Sequence, residues 1–256
     1  MLASMTVLAA AAMVSWGPPA GGDTLRIEVG SPLVNGRVYA PHAARVRVRI
    51  GSDSAPLIAE WVNELTLGDS AGRQVMRLVT RGKRSSPNGD TVRTELFQTY
   101  DAVTLAPYGY LMRSSAGAAW QLTFEGRRVR GTRRVPGDST TRSVDLLLDD
   151  AGFMVAASDL VPPAVGLRKG VVMVAPVWGP ALANSELRVF SVLDKETLVV
   201  EGSRVEAWKV EERRYADGML MATWYLTDAS PYMVYGEVPL PDGRVQRMTE
   251  VAIPER

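Results

Sequence analysis

The C-terminal stretch constrains the fold of this chain more than any other. Residues 198–215, 218–226, 232–238 and 244–251 are rich in β-branched and aromatic side chains, and the turn formers Asp217-Gly218, Asp228-Ala229-Ser230-Pro231 and Pro241-Asp242-Gly243 separate them. Asp-Gly corners and short Pro-containing loops between such segments predict antiparallel strands joined as a meander. The stretch places no group for chemistry; its information is architectural.

Period-two alternation runs through the rest of the chain. Within 44–50, Arg45, Arg47 and Arg49 fall on one face and Val46, Val48 and Ile50 on the other, as a half-buried strand requires. Leu57, Ala59, Trp61, Leu65 and Leu67 repeat the pattern around Glu60 and Glu64. Further strands are expected over 73–80, 91–100, 108–114, 118–124, 127–135, 143–148, 171–177 and 185–192, with Gly-, Pro-, Asn- and Asp-containing turns between them. Residues 156–167 break the pattern. Their small residues and the Pro162-Pro163 pair predict a turn or two of helix, with Ser158 or Asp159 as its cap. The expected fold is all-β: one domain over 23–256, built on a large curved antiparallel sheet of about ten to thirteen strands. That sheet is a half-barrel or flattened barrel, with 156–167 as a short helical or loop cap.

The first 22 residues carry no charged side chain, and residues 5–14 form an apolar run. Such a run is too short to span a bilayer but has the length of a signal-peptide core. Ala20-Gly21-Gly22 offers small residues for cleavage before Asp23, so 1–22 reads as a signal peptide, although the first basic residue is Arg26. The expectation is an exported chain, periplasmic or extracellular, soluble after cleavage and without a transmembrane segment. The chain has no cysteine, which excludes disulfides, thiolate metal sites, a Cys nucleophile and a lipidated N-terminal Cys. With 29 basic against 28 acidic residues there is no global field to gather nucleic acid or a membrane surface.

From residue 100 onward the chain reads Tyr100-Asp101-Ala102-Val103-Thr104-Leu105-Ala106-Pro107, then Phe124-Glu125-Gly126-Arg127-Arg128-Val129-Arg130-Gly131. On these stretches it resembles exported proteins related to the domain of unknown function DUF3108. The resemblance continues in the pair Val199-Val200-Glu201-Gly202 and Ala207-Trp208-Lys209-Val210, and in Ala222-Thr223-Trp224-Tyr225-Leu226. It covers roughly 94–251 and consists of strand and turn patterns, not chemical signatures. It implies a curved sheet similar to the open half-barrel of LolA/LolB-type lipoprotein carriers, and an acyl chain or other apolar ligand in its concavity. It implies no catalytic residues.

The residues themselves point the same way. His42 is the only histidine, no Gly-x-Ser-x-Gly elbow accompanies it, and one His without Cys makes a poor metal site. The pairs Asp149-Asp150 and Glu211-Glu212 are adjacent, so on a strand their carboxylates point to opposite faces. Clustered arginines at 45–49, 81–84 and 127–134 read as solvated strand faces paired with acids. The sharpest signal is the two-sided apolarity of 218–226. Met219, Met221, Thr223 and Tyr225 share one face, and Leu220, Ala222, Trp224 and Leu226 the other, so both faces need cover. Met219, Met221, Tyr225 and Trp224, extended by Tyr232, Tyr108 and Tyr110, are the candidate ligand lining. No catalytic residue, metal or cofactor is expected. The function expected is a non-enzymatic exported binding protein of the cell envelope, holding a lipid-like ligand in the concave face. The alternative is a structural or protein-interaction module of the envelope with a fully packed core, and a carboxylate hydrolase would need two or more acids converging in one cleft.

Overall fold

The computed structural model describes residues 24–85 and 89–253; residues 1–22, read above as a signal peptide, lie outside the described residues. Among the described residues, sixteen strands form one open, mixed sheet. The first meander runs β2 (His42–Ile50), β3 (Ala59–Ser70), β4 (Arg73–Ser85), β5 (Thr91–Asp101), β6 (Pro107–Ser114), β7 (Ala119–Glu125), β8 (Arg128–Arg134) and β9 (Arg142–Leu147). A second runs β11 (Val172–Trp178), β12 (Glu186–Val200), β13 (Ser203–Arg214), β14 (Leu220–Leu226), β15 (Met233–Pro239) and β16 (Val245–Ala252). The two join where β16 pairs antiparallel with β2, so the first meander continues the sheet from the last strand of the second. Two short strands, β1 (Thr24–Arg26) and β10 (Phe153–Met154), pair in parallel with β11. They raise the strand number above the ten to thirteen expected and make the sheet mixed. Segments of two or three residues are too short to show alternation in a sequence.

The curvature follows from two distances. In a flat sheet of this order, β7 and β11 would lie eleven inter-strand spacings apart, about 53 Å at 4.8 Å each. Yet the Phe124 ring of β7 meets the Trp178 ring of β11 edge-on, with centroids 5.7 Å apart. The sheet is therefore rolled until one flank touches the other, while its edge strands β9 and β1 stay unpaired to each other. On the outside, Arg47 of β2 ion-pairs with Glu201 at the tip of the β12–β13 hairpin at 2.8 Å. Four strand spacings, about 19 Å, separate β13 from β2 along the sheet, so the overhanging hairpin folds across the convex face.

The chain must return from β9 at one edge to β11 near the other, and it does so through the concavity. A 3₁₀ segment, Val155–Leu160, leads into a one-turn helix, α1 (Val161–Val165), with Val161, Pro162, Pro163 and Ala164 all buried. Pro in a first helical turn costs nothing, because its missing N–H would have no partner there. The expected short helix is present, but neither expected cap holds it: Leu160 precedes α1 with no side-chain cap bond. Ser158 and Asp159 instead point into the interior.

This cap fills one half of the rolled sheet and leaves the other open. Phe153, Met154, Met173, Trp178 and Phe190 are essentially inaccessible, packed with Leu122, Phe124 and Val129 from β7 and β8. In the other half, between β3–β6 and β14–β16, the inner faces do not meet.

Candidate ligand-binding cleft

The gap is a cleft of about 580 Å³. Alternation on the strands puts Ala59, Trp61 and Asn63 of β3, Leu78, Thr80, Gly82 and Arg84 of β4, and Val92, Thr94 and Leu96 of β5 on one wall, continued by Tyr110 and Met112 of β6. Trp224 of β14, Met233 of β15 and Met248 of β16 line the opposite wall, with Ala156 and Asp159 from the cap. Two glycines make room for the indoles. A Cβ on Gly82 would lie 2.3 Å from Cβ of Trp61, and one on Gly236 about 3.0 Å from the Trp224 ring. The mouth is basic: Lys83 and Arg84 are exposed there, with no carboxylate in ion-pair distance among the described residues.

The deep end is acidic. A small extension of about 40 Å³ continues the cleft past Asn63, Leu78, Asp159 and Met233 to Glu250, Tyr39, Tyr232 and His42. Glu250 lies on the inner face of β16, in register with the fully buried Val46. It is 7% exposed and has no hydrogen-bond partner among the described residues. Burial, reinforced by the neighbouring charge of Asp159, pushes its carboxyl up to about 8. Burial likewise pushes Asp159 up to about 7, with Glu212 adding to the effect and Asp159's own backbone N–H opposing it. Both are held toward the protonated form near neutrality because desolvation penalises the charged state.

Glu212 of β13, also buried, is treated differently. Trp224 Nε1 and Ser158 Oγ each donate to its Oε2 at 2.9 Å, and Arg188 Nη1 donates to Oε1 at 3.0 Å. Burial still holds its carboxyl above the ordinary range, with these donors opposing it. Arg188, itself buried, also contacts Glu186. This network fixes the cap to β13 and β14 and aims the Trp224 indole along the cleft wall.

The candidate residues from the sequence divide between the faces. Trp224 and Tyr110 line the cleft. Tyr232 lines its deep end, edge-on to Tyr39 at 5.1 Å, and its hydroxyl donates to the Val38 carbonyl at 3.0 Å. Tyr225 lies on the convex face, its ring 5.6 Å from that of Tyr235 and beneath Lys209. Met219 is exposed beside Arg214. Met221 is the extra residue where the β13–β14 register shifts, and it lines no part of the cleft. Tyr108 is similarly unpaired at the register shift between β5 and β6, and its hydroxyl donates to Asp101 at 2.8 Å. A bulge inverts the side-chain parity that alternation predicts. The methionines of the cleft are Met112, Met233 and Met248. Their signal was present in the sequence as apolar parity on β6, β15 and β16, but only the roll of the sheet brings them together.

The other sequence motifs resolve into structure. The Arg strands are paired: Arg47 with Glu60, Arg81 with Glu64 and Glu95, Arg128 with Asp145. Glu211 pairs with Arg213 on the outside while its neighbour Glu212 is inside. His42 begins β2, and its Nδ1 lies 2.8 Å from Ser230 Oγ. Among the described residues no group of three or more His, Cys, Asp or Glu is arranged to hold a metal, and no helix is long and apolar enough to cross a membrane.

No family model and no curated protein matches the chain. Among solved structures it is similar to the crystal structure of a β-barrel-like protein of the domain of unknown function DUF1849 from Brucella abortus. The identity is 12%, the TM-score 0.51, and the likeness covers 86% of this chain and 100% of that one. At that identity it shows the fold alone. An all-β, barrel-like architecture is supported, and DUF3108 in particular is not.

Proposed function

We propose that this chain is a non-catalytic binding protein that takes an elongated, mainly apolar ligand into the concave face of its sheet. The cleft carries the reading. Its volume of about 580 Å³ falls in the range of small-molecule sites, roughly 300 to 1,000 Å³, which are apolar with a few placed polar groups. Flexible Met112, Met233 and Met248 suit the irregular contour of an acyl-like body, and polar groups at mouth and floor suit an amphiphile. The uncharged, apolar start of the sequence supports export, and with it a place in the cell envelope. The DUF3108 resemblance and its lipid-carrier likeness are consistent with this proposal.

The envelope-module alternative needed a filled concavity, and half of this one is open. The carboxylate-hydrolase reading needed converging acids, and Asp159 and Glu250 do share the deep extension. Glycoside hydrolysis, however, requires one ionised carboxylate opposite one acid with a sugar between them. Here both carboxyls are pushed toward protonation, and about 40 Å³ admits little more than a water-sized group. The acids read better as the polar end of a binding site.

Titration with 1-anilinonaphthalene-8-sulfonate, a dye that brightens in apolar surroundings, tests the proposal. Saturable one-to-one binding, displaced by octyl amphiphiles, is expected. Absence of saturable binding overturns it.

A further inference from the structure

The deep end of the cleft carries two carboxyl groups, Asp159 and Glu250, with Asn63 and His42 beside them. Glu250 is more than nine-tenths buried, lines the extension and has no donor among the described residues. Asp159 lines the same space from the cap, with its own backbone N–H as the only donor to its carboxyl among the described residues. Buried acceptors without donors are rare in folded proteins because each forfeits its hydration. Tyr39 and Tyr232 border the extension with their rings, and aromatic rings attract cations electrostatically.

We infer that the deep extension is a seat for the terminal ammonium group of the ligand, held between Asp159 and Glu250 beside Tyr39 and Tyr232. The inference rests on the binding reading above and names the chemistry of the ligand's inner end. An ammonium is compact enough for about 40 Å³, supplies the donors that the acceptors lack, and leaves its alkyl chain on the cleft wall. The basic groups are elsewhere: Lys83 and Arg84 stand at the mouth, and Arg188 is engaged by Glu212 and Glu186.

Proton linkage follows. The charges facing the seat are Asp159 from the cap, Glu250 from β16 and Glu212 from β13, with Arg188 behind Glu212. The remaining titratable neighbours are His42 at the start of β2 and the tyrosines Tyr39, Tyr232, Tyr100 and Tyr110. Burial raises all four of these tyrosines, so they stay neutral. An ammonium favours ionised Asp159 and Glu250, whose carboxyls sit at about 7 and about 8 in the free protein. Binding therefore expels protons, and affinity rises with pH.

Calorimetric titration with octylamine, 1-octanol and octanoate tests this on the full chain. Octylamine is expected to bind at least about tenfold more tightly than octanol at pH 8, to lose affinity on going to pH 6, and to release protons in buffers of different ionisation enthalpy. In the Asp159→Asn/Glu250→Gln variant the amine preference disappears, octylamine and octanol binding with equal affinity and without proton release. Equal affinity of wild type for octylamine and octanol, tighter binding of octanoate, or octylamine binding without proton release overturns the ammonium seat and leaves the binding reading standing. Failure of all three to bind overturns both. Because wild-type proton release is read without any variant, a variant that fails to fold does not shelter the inference.

Discussion

The two halves of the concavity make the same kind of inner surface and use it in opposite ways. Where the cap crosses, the carboxylate of Glu212 receives three donors and its surroundings are packed solid. Where the cap ends, Glu250 is buried to a similar degree with no donor among the described residues, and the wall beyond it is open. A buried carboxyl that is satisfied within the protein holds the fold together. One left without partners is retained at a cost to stability, which is intelligible where something else arrives to complete it.

Breaking the satisfied half carries the largest expected effect. Arg188→Ala leaves Glu212 buried beside Ser158 and Trp224 without its cation and should lower stability by about 3 to 5 kcal/mol. Replacing both Arg188 and Glu212 with Met and Leu should recover only part of that loss in urea unfolding, since a buried pair is often exchangeable for apolar packing but Ser158 and Trp224 lose their acceptor. The open half predicts the reverse response. The folded-state carboxyls of Glu250 and Asp159 stand above their unfolded values, so the stability they contribute is present at low pH and lost as pH rises through about 7 and about 8. Each unit of such a shift is worth about 1.4 kcal/mol. Unliganded protein should therefore lose on the order of a few kcal/mol between pH 5 and pH 9. Asp159→Asn/Glu250→Gln should flatten that slope and be the more stable protein at pH 9.

Smaller effects test the walls. Gly82→Ala forces a Cβ against Trp61 and should cost about 1 to 3 kcal/mol. It should also change the tryptophan emission, because the indole must move. Arg47→Ala removes the ion pair that ties the β12–β13 hairpin across the convex face. As a partly exposed pair it should cost less than about 1 kcal/mol, measurable as faster proteolysis of the hairpin tip.

Much of this architecture was written locally. Alternation placed Arg45, Arg47 and Arg49 outside and Val46 and Val48 inside, and the double proline limited the cap to about one turn. The candidate site was legible only in part, for two physical reasons. Bulges at Met221 and Tyr108 shift side-chain parity without any distinctive residue to announce them. The convergence of Asp159, Glu250 and Trp61 depends on the roll of the sheet, a property of pairings far apart in sequence. Glu250 did leave a trace, since it shares parity with Met248 and Ala252 on β16 and stands opposite Val46 of β2. Asp159 looked like a helix cap, and its role emerges only because the return from β9 to β11 runs through the concavity.

The central claim is that the open half of the sheet is kept open for a ligand. Native mass spectrometry of wild type and Thr94→Trp, both purified from a membrane-containing host, tests it most directly, because Thr94 faces the cleft and an indole there fills it. The account predicts a small-molecule adduct released on activation from wild type and absent from an equally stable Thr94→Trp. The same adduct on both proteins, or on neither, would contradict it.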